Sequence, residues 1–344
     1  MQNKTLMKLG LLALVLLGIG LSQRESQGPQ KAEVPEDAAL LPALADRLND
    51  VASITVSSTS ETWSTSKTER GWGLDAKGGY PVKMEEVRKT LIALAEAEKI
   101  EAKTKVAANY ARLGVEGPGQ EDSDSKLVSL TDANGGAIAA LIIGNRRAGA
   151  GDPSYYVRVS DSDQSWLVSG DLTISDDSGA WLDKQILELP RERIQAVETL
   201  HPDMEQVFVA RPSEDVEQYE VYDIPEGSEL KYEAVAAGMG SALQYLNFVD
   251  VSASEGFDFE NRTPTRTSFW TFDGLRVDAL IYSVADTPYA SFTVVSDSEG
   301  PAQLATPGPL PEEEGAEAGR SDEEIAAEVT ELNAKVNGWI YELA

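Results

Sequence analysis

Short stretches of alternating apolar and polar residues dominate the chain after residue 40, and each of them predicts a β-strand. In the first half they lie at residues 51–58, 62–66, 71–74, 126–130, 137–144, 154–159 and 164–169. A helix is expected from about residue 83 to residue 97, because its apolar residues recur at three- and four-residue steps. The Asp132–Gly136 segment has the composition of a hairpin turn.

The second half of the chain repeats this order. Strand-like stretches lie at 193–198, 205–210, 219–222, 267–282 and 290–295, with a helix rich in small residues expected at about 228–246. The stretches Ala137–Gly144 and Arg276–Ser283 both contain Ala-Leu-Ile at an offset of roughly 140 to 150 residues. This offset indicates a domain-sized duplication, although generic patterns can also agree by chance.

We therefore expect an α+β protein made of two tandem related units after an N-terminal membrane-spanning helix. Each unit should be a mostly antiparallel sheet packed with one main helix, the first over residues 41–185 and the second over 186–344. Prolines and a glutamate run predict a disordered acidic insertion at about 297–320. A capping box at Ser321 then predicts a helix to about Val336, and the tail at 338–344 is expected to be the last strand of the second sheet.

The N-terminus carries a membrane-targeting pattern. Lys4 and Lys8 precede an apolar run from Leu9 to Leu21, and a fully polar segment follows. An uncleaved anchor over residues 1–22 with a tether over 23–40 is favoured, because no Ala-x-Ala site follows the run; a cleaved signal peptide remains the alternative. The positive charges place the N-terminus in the cytoplasm, so the body is expected in the periplasm of a single-pass inner-membrane protein.

Composition removes several classes of function. The chain has 58 acidic and 29 basic residues, a formal charge of −29, one histidine and no cysteine. A disulfide framework, a thiolate nucleophile and a thiolate metal site are therefore excluded. The negative charge argues against nucleic-acid binding, which requires lysine and arginine to neutralise phosphates.

A search for catalytic chemistry assigns no catalytic, cofactor-binding or metal-ligating residue, and no cofactor. Two Ser-x-x-Lys pairs, Ser64 with Lys67 and Ser123 with Lys126, lack the partner motifs of serine acyl-enzymes. His201 stands alone between two predicted strands. The acidic clusters at 122–124, 161–163 and 176–177 do not complete a calcium loop, and the six tryptophans are expected to fill the core.

The order of the motifs resembles the bacterial DUF4340 domain family. The resembling segments are Asn49–Val56, Gly71–Leu74, Gly79–Lys83, Asn109–Gly114, Trp166–Asp171, Trp181–Asp183, Leu189–Ile194 and Leu332–Tyr341. The resemblance implies a membrane-anchored, extracytoplasmic protein linked with ABC-type export or gliding-related transporters. It carries over no catalytic or ligand residue.

The leading hypothesis is a non-enzymatic envelope protein that acts as an interaction or accessory module, with an envelope protein such as an ABC transporter subunit as its partner. The alternative is a periplasmic domain that binds or senses a small ligand in a cleft between the two units. An envelope hydrolase that uses Ser64 and Lys67 is a third and less favoured hypothesis.

Overall fold

The structure, a computed structural model, describes residues 38–120, 122–149, 151–222, 224, 234–260, 262–304 and 320–344. The predicted anchor at 1–22 and nearly all of the predicted tether lie outside these residues. Among the helices within them, none is both long and apolar enough to span a membrane.

Antiparallel β-structure dominates the described residues, with a few helices, which confirms the α+β class. In chain order the strands are β1 (Val51–Ser57), β2 (Thr62–Thr68), β3 (Gly71–Leu74), β4 (Tyr80–Pro81), β5 (Glu98–Ala102), β6 (Lys126–Asp132), β7 (Ala137–Arg146), β8 (Ser154–Val159), β9 (Ser165–Ser169), β10 (Gln185–Leu187), β11 (Ile194–Leu200), β12 (Gln206–Ala210), β13 (Glu220–Tyr222), β14 (Leu246–Asn247), β15 (Asp250–Ala253), β16 (Thr265–Thr271), β17 (Leu275–Val284), β18 (Thr287–Ser296) and β19 (Trp339–Glu342).

The α-helices are α1 (Leu44–Arg47), α2 (Met84–Ala95), α3 (Ala234–Gly240) and α4 (Asp322–Val336). Short 3₁₀ helices lie at Leu48–Asp50, Asp75–Lys77, Ala107–Arg112, Ser178–Trp181, Arg191–Arg193, Ser254–Gly256 and Ala302–Leu304. Helix α4 begins with the expected capping box, in which the Ser321 hydroxyl accepts from the Glu324 amide. Helix α2 buries Val87, Thr90 and Leu94 but leaves its first residue, Met84, exposed.

Two compact units divide the chain. The described part of the first comprises residues 38–62 and 89–176, and the second comprises Trp63–Arg88 together with Asp177–Ala344. Residues 63–88, which the sequence grouped with the first unit, have most of their contacts with the second, and the predicted boundaries stay a prediction. The tandem duplication itself stays a prediction.

In the first unit the strands lie in the order β1-β6-β7-β8-β9-β5, and neighbouring strands are antiparallel. The β6–β7 hairpin turns where the sequence predicted. There the Asp132 carboxylate accepts from the amides of Asn134 and Gly136, each at 2.9 Å, and Gly135 adopts a φ of +78°. This local chemistry fixes the register of the hairpin.

The second unit contains the hairpin strands β2 to β4, the ribbon β10-β14, and a sheet in the order β13-β12-β11-β16-β17-β18-β19-β15. Six of its strands, β11-β16-β17-β18-β19-β15, are arranged like the six strands of the first unit. In both sets the first strand in chain order lies beside the third, and the second strand in chain order lies beyond the sixth. The C-terminal tail forms β19, as expected, and pairs with β18 at Tyr289 and Ala290. It is not the edge strand, because β15 lies beyond it.

Two expected elements of the second unit differ in extent. The helix expected at 228–246 is α3, which ends at Gly240, and β14 begins at Leu246; residues 225–233 lie outside the described residues. At the expected acidic insertion, Asp297 accepts from Trp270 Nε1 at 3.1 Å and from Arg276 Nη1 at 2.6 Å, so the start of that segment is held on the sheet. Residues 305–319 lie outside the described residues.

Helix α3 offers a matched test of packing. A Cβ added at Gly240 would overlap the ring of Tyr219, whereas one at Gly238 meets no atom within 4 Å. The Tyr219 ring cannot retreat easily, because its hydroxyl donates to the Ile194 carbonyl at 2.8 Å and the Arg211 guanidinium lies 5.2 Å from its centre.

We expect Gly240→Ala to lower the free energy of unfolding by about 1–3 kcal/mol through overpacking. Gly238→Ala should raise it by roughly 0.5–1 kcal/mol through helix propensity. Urea unfolding followed by circular dichroism measures both. Equal effects of the two substitutions would contradict this packing.

Candidate functional site

In the pair of Ser123 and Lys126, each side chain contacts another group of the first unit. Lys126 Nζ donates to the Ile174 carbonyl at 2.8 Å and lies 3.0 Å from Asp176 Oδ1, while the Ser123 hydroxyl lies 2.7 Å from that of Ser125. The hydrogen bond from Lys126 lowers the pKa of Asp176. Lys126 thus joins the start of β6 to the segment at residues 174–176.

The other pair lies on strand β2. Ser64 alternates with the buried residues Trp63 and Thr65, so it faces away from that part of the core. The Lys67 ammonium stands 5.8 Å from the centre of the Trp72 ring. This position stabilises the cation on an aromatic face.

His201 and the acidic clusters belong to turns. The His201 amide donates to the Glu205 carbonyl at 2.8 Å, which closes the β11–β12 hairpin. Asp177 caps a 3₁₀ helix by accepting from the Gly179 amide, and the Asp163 carbonyl accepts from the Tyr110 hydroxyl at 2.6 Å. Across the described parts of the chain, no group of three or more histidines and acidic residues could hold a metal ion.

Most of the tryptophans lie in the core, as the sequence suggested. At most 7% of each of five is exposed: Trp63, Trp72, Trp181, Trp270 and Trp339. Trp166 is half-buried, with the Lys99 ammonium 5.4 Å from its ring centre.

An open cavity of about 470 Å³ lies in the second unit. Its walls come from the β2–β3 turn at residues 68–70, the glycine pair at 78–79, the 253–255 segment, and Gly338 with Trp339. The volume falls within the range of small-molecule sites, about 300–1,000 Å³.

Glycine backbone forms much of the wall. Gly78, Gly79 and Gly338 have φ angles of +66°, +81° and +87°, a region that disfavours other residues. A Cβ at Gly78 would lie 3.1 Å from that of Ala253, whereas one at Gly338 would meet no atom within 4 Å. The space beside Gly338 is therefore open.

An aromatic cluster supports this wall from beneath. The Tyr80 ring, directly after the glycine pair, packs edge-on against Phe248, Trp339 and Tyr341 at centroid distances of 5.2, 5.0 and 6.1 Å. Burial raises the pKa of Tyr80 to about 12, so its hydroxyl remains neutral at physiological pH. Lys77 Nζ also lies 2.6 Å from Asp250 Oδ1, which joins the glycine turn to strand β15.

Charged side chains of both signs line the cavity. Glu69, Arg70 and Glu255 are exposed there. Arg70 Nη1 donates to the Asn337 carbonyl at 3.2 Å, which holds the guanidinium against the turn that precedes β19. The site can therefore offer a cation and carboxylates to a polar ligand.

Sequence reasoning assigned none of these residues to a site. The available signal was the closely spaced glycines Gly71, Gly73, Gly78 and Gly79, since clustered glycines mark close backbone approach. The walls at residues 253–255 and 338–339 are more than 170 positions away from these glycines and have no distinctive pattern.

The densest ion-pair cluster lies elsewhere in the second unit. Arg193 binds Glu328 through two bonds, Nη1 to Oε1 at 2.8 Å and Nη2 to Oε2 at 2.9 Å, and its Nη2 also contacts Asp273 at 2.9 Å. Arg320 contacts the same two carboxylates. These bonds join α4, the β16–β17 turn and the start of β11, which is a structural role.

One comparison with known proteins gives a match. The family model described as a domain of unknown function, DUF4340, matches residues 72–263, a range that begins at the Trp72 of strand β3. No curated protein and no solved structure matches the chain.

The ion-pair cluster predicts a pH-dependent stability. Hydrogen bonds from Arg193 lower the pKa of Glu328 in the folded protein. The ionised Glu328 therefore stabilises the fold fully above the pKa that this residue has in the unfolded chain, ordinarily near 4.5. This stabilisation is lost as the pH falls through the lower pKa of the folded state. We expect Glu328→Gln to cost about 1–2 kcal/mol at pH 7 and progressively less below pH 4. The exposed Glu331→Gln, on the same helix, is the control. An effect of Glu328→Gln that is constant from pH 7 to pH 3 would refute this role.

Proposed function

The chain belongs to the DUF4340 family, and on that basis we propose that it is a non-enzymatic envelope protein whose body binds a protein partner in a membrane complex. Its N-terminal segment would anchor it in the inner membrane and its body would lie in the periplasm. The family resemblance suggests a subunit of an ABC-type transporter as the class of partner.

The observation that supports this proposal most is a rigidly presented apolar pair in the second unit. The side chains of Tyr245 and Val249, on either side of β14, are 70% and 54% exposed. Between them Phe248 is buried, with 3% exposure. The Phe248 amide donates to the Lys184 carbonyl at 3.0 Å, and the Val249 amide to the Glu342 carbonyl at 2.8 Å.

This arrangement suits a binding anchor. A fixed backbone lowers the conformational entropy that an interface loses when it forms. Tyrosine is enriched among the residues that dominate interface energies, because it offers a large surface with few rotatable bonds. In a chain with a formal charge of −29, an exposed tyrosine and valine on a fixed segment would provide the apolar centre of a contact that is otherwise polar.

The contacts of the candidate catalytic groups fit this proposal better than a hydrolase. Lys126 is tied to Asp176, and Lys67 lies over Trp72. The alternative, binding of a small ligand, is favoured by the cavity beside Trp339, which lies within the second unit and not in the cleft between units that the sequence suggested.

The proposal predicts site-specific crosslinking in native membranes. A photoreactive phenylalanine analogue that replaces Tyr245 in the full chain should crosslink to an integral membrane protein identified by mass spectrometry. The same analogue in place of Val106, which is 58% exposed in the first unit, is the control. Tyr245→Ser should weaken co-purification of the captured protein by roughly tenfold or more, the range of an interface anchor.

The proposal would be contradicted if positions 245 and 106 crosslinked to the same proteins, or if position 245 crosslinked to no membrane protein.

A further inference from the structure

We propose that the cavity of the second unit binds a small zwitterion of the α-amino-acid class. Its carboxylate would pair with Arg70, and its ammonium group would lie between the carboxylates of Glu69 and Glu255. This inference is independent of the proposed protein partner, because its residues do not include Tyr245 or Val249.

The guanidinium of Arg70 is suited to a carboxylate. Its Nη1 donates to the Asn337 carbonyl, and Nε and Nη2 are further donors of the same planar group. Such a pair of donors can bind a carboxylate through two parallel hydrogen bonds. Among the ion pairs of the described residues, none involves Arg70.

The balance of charge at the cavity favours a zwitterion over a simple ion. A pure anion would meet Arg70 but would be repelled by two glutamates and by a chain with a formal charge of −29. A pure cation would be attracted by the glutamates and by the charge of the chain, but it would be repelled by Arg70 and would leave that guanidinium without a carboxylate. A ligand that carries both groups pairs with every charged side chain of the lining.

The shape of the cavity leaves room for the rest of such a ligand. At Gly338 no atom lies within 4 Å of the position that a Cβ would occupy, and Gly78 and Gly79 present backbone instead of side chains. Trp339 is among the lining residues, with 6% of its surface exposed. A small aliphatic side chain of the ligand could pack there.

The test uses the full chain, purified in detergent and labelled with ¹⁵N. Alanine, its carboxylate-free analogue ethylamine and its amine-free analogue propionate are titrated while the amide signals of Gly78, Gly79 and Gly338 are followed. Alanine should shift these three signals in a saturable manner, and at the same concentrations ethylamine and propionate should not. Glutamate and leucine extend the panel to larger amino acids.

Variants assign the binding to these side chains. We expect Arg70→Gln to weaken the affinity at least tenfold, and the double variant Glu69→Gln with Glu255→Gln to weaken it to a similar extent. Arg88→Gln, an exposed arginine outside the lining, should leave it unchanged. Circular dichroism spectra that match the parent chain would show that each variant is folded.

Three results would overturn the proposal. These are the absence of a saturable shift with every amino acid tested, an equally strong response to propionate alone, and an affinity that Arg70→Gln leaves unchanged in a folded variant.

Discussion

The backbone of Gly73 packs directly against that of Gly79, and the second unit depends on this close approach. A Cβ at Gly73 would overlap the Gly79 carbonyl, and Gly79 itself has a φ of +81° that disfavours a side chain. The contact pairs β3 with β4 and so directs Tyr80 into the core. There the Tyr80 ring meets three aromatic rings from distant parts of the sequence: Phe248, Trp339 and Tyr341.

Both proposed binding features rest on this aromatic cluster. Trp339 packs against Tyr80 and also lines the cavity. Phe248 packs against Tyr80 as well, and its burial fixes the segment from which Tyr245 and Val249 project. Aromatic pairs at these distances contribute about 0.5–1.5 kcal/mol each beyond the burial of their surface, so the cluster stabilises both features.

Local features of this fold could be predicted from the sequence, and contacts between distant segments could not. The turn at Asp132–Gly136 and the capping box at Ser321 depend on residues a few positions apart, so their patterns are visible in the chain. The place of residues 63–88 in the second unit depends instead on rings at positions 248, 339 and 341, which generic strand patterns do not specify. The cavity was missed for the same reason, because its walls come from four separate segments of the chain.

Native-state hydrogen exchange of the full chain with Gly73→Ala tests most directly whether the glycine contact supports the whole cluster. The account predicts faster exchange at residues 71–81 and also at 246–253 and 338–342, which the rings around Tyr80 join to the glycine turn. Residues 275–284 in β17 should be unchanged and serve as the control. Faster exchange confined to residues 71–81 would contradict it, because the distant segments would then be stable without the glycine contact.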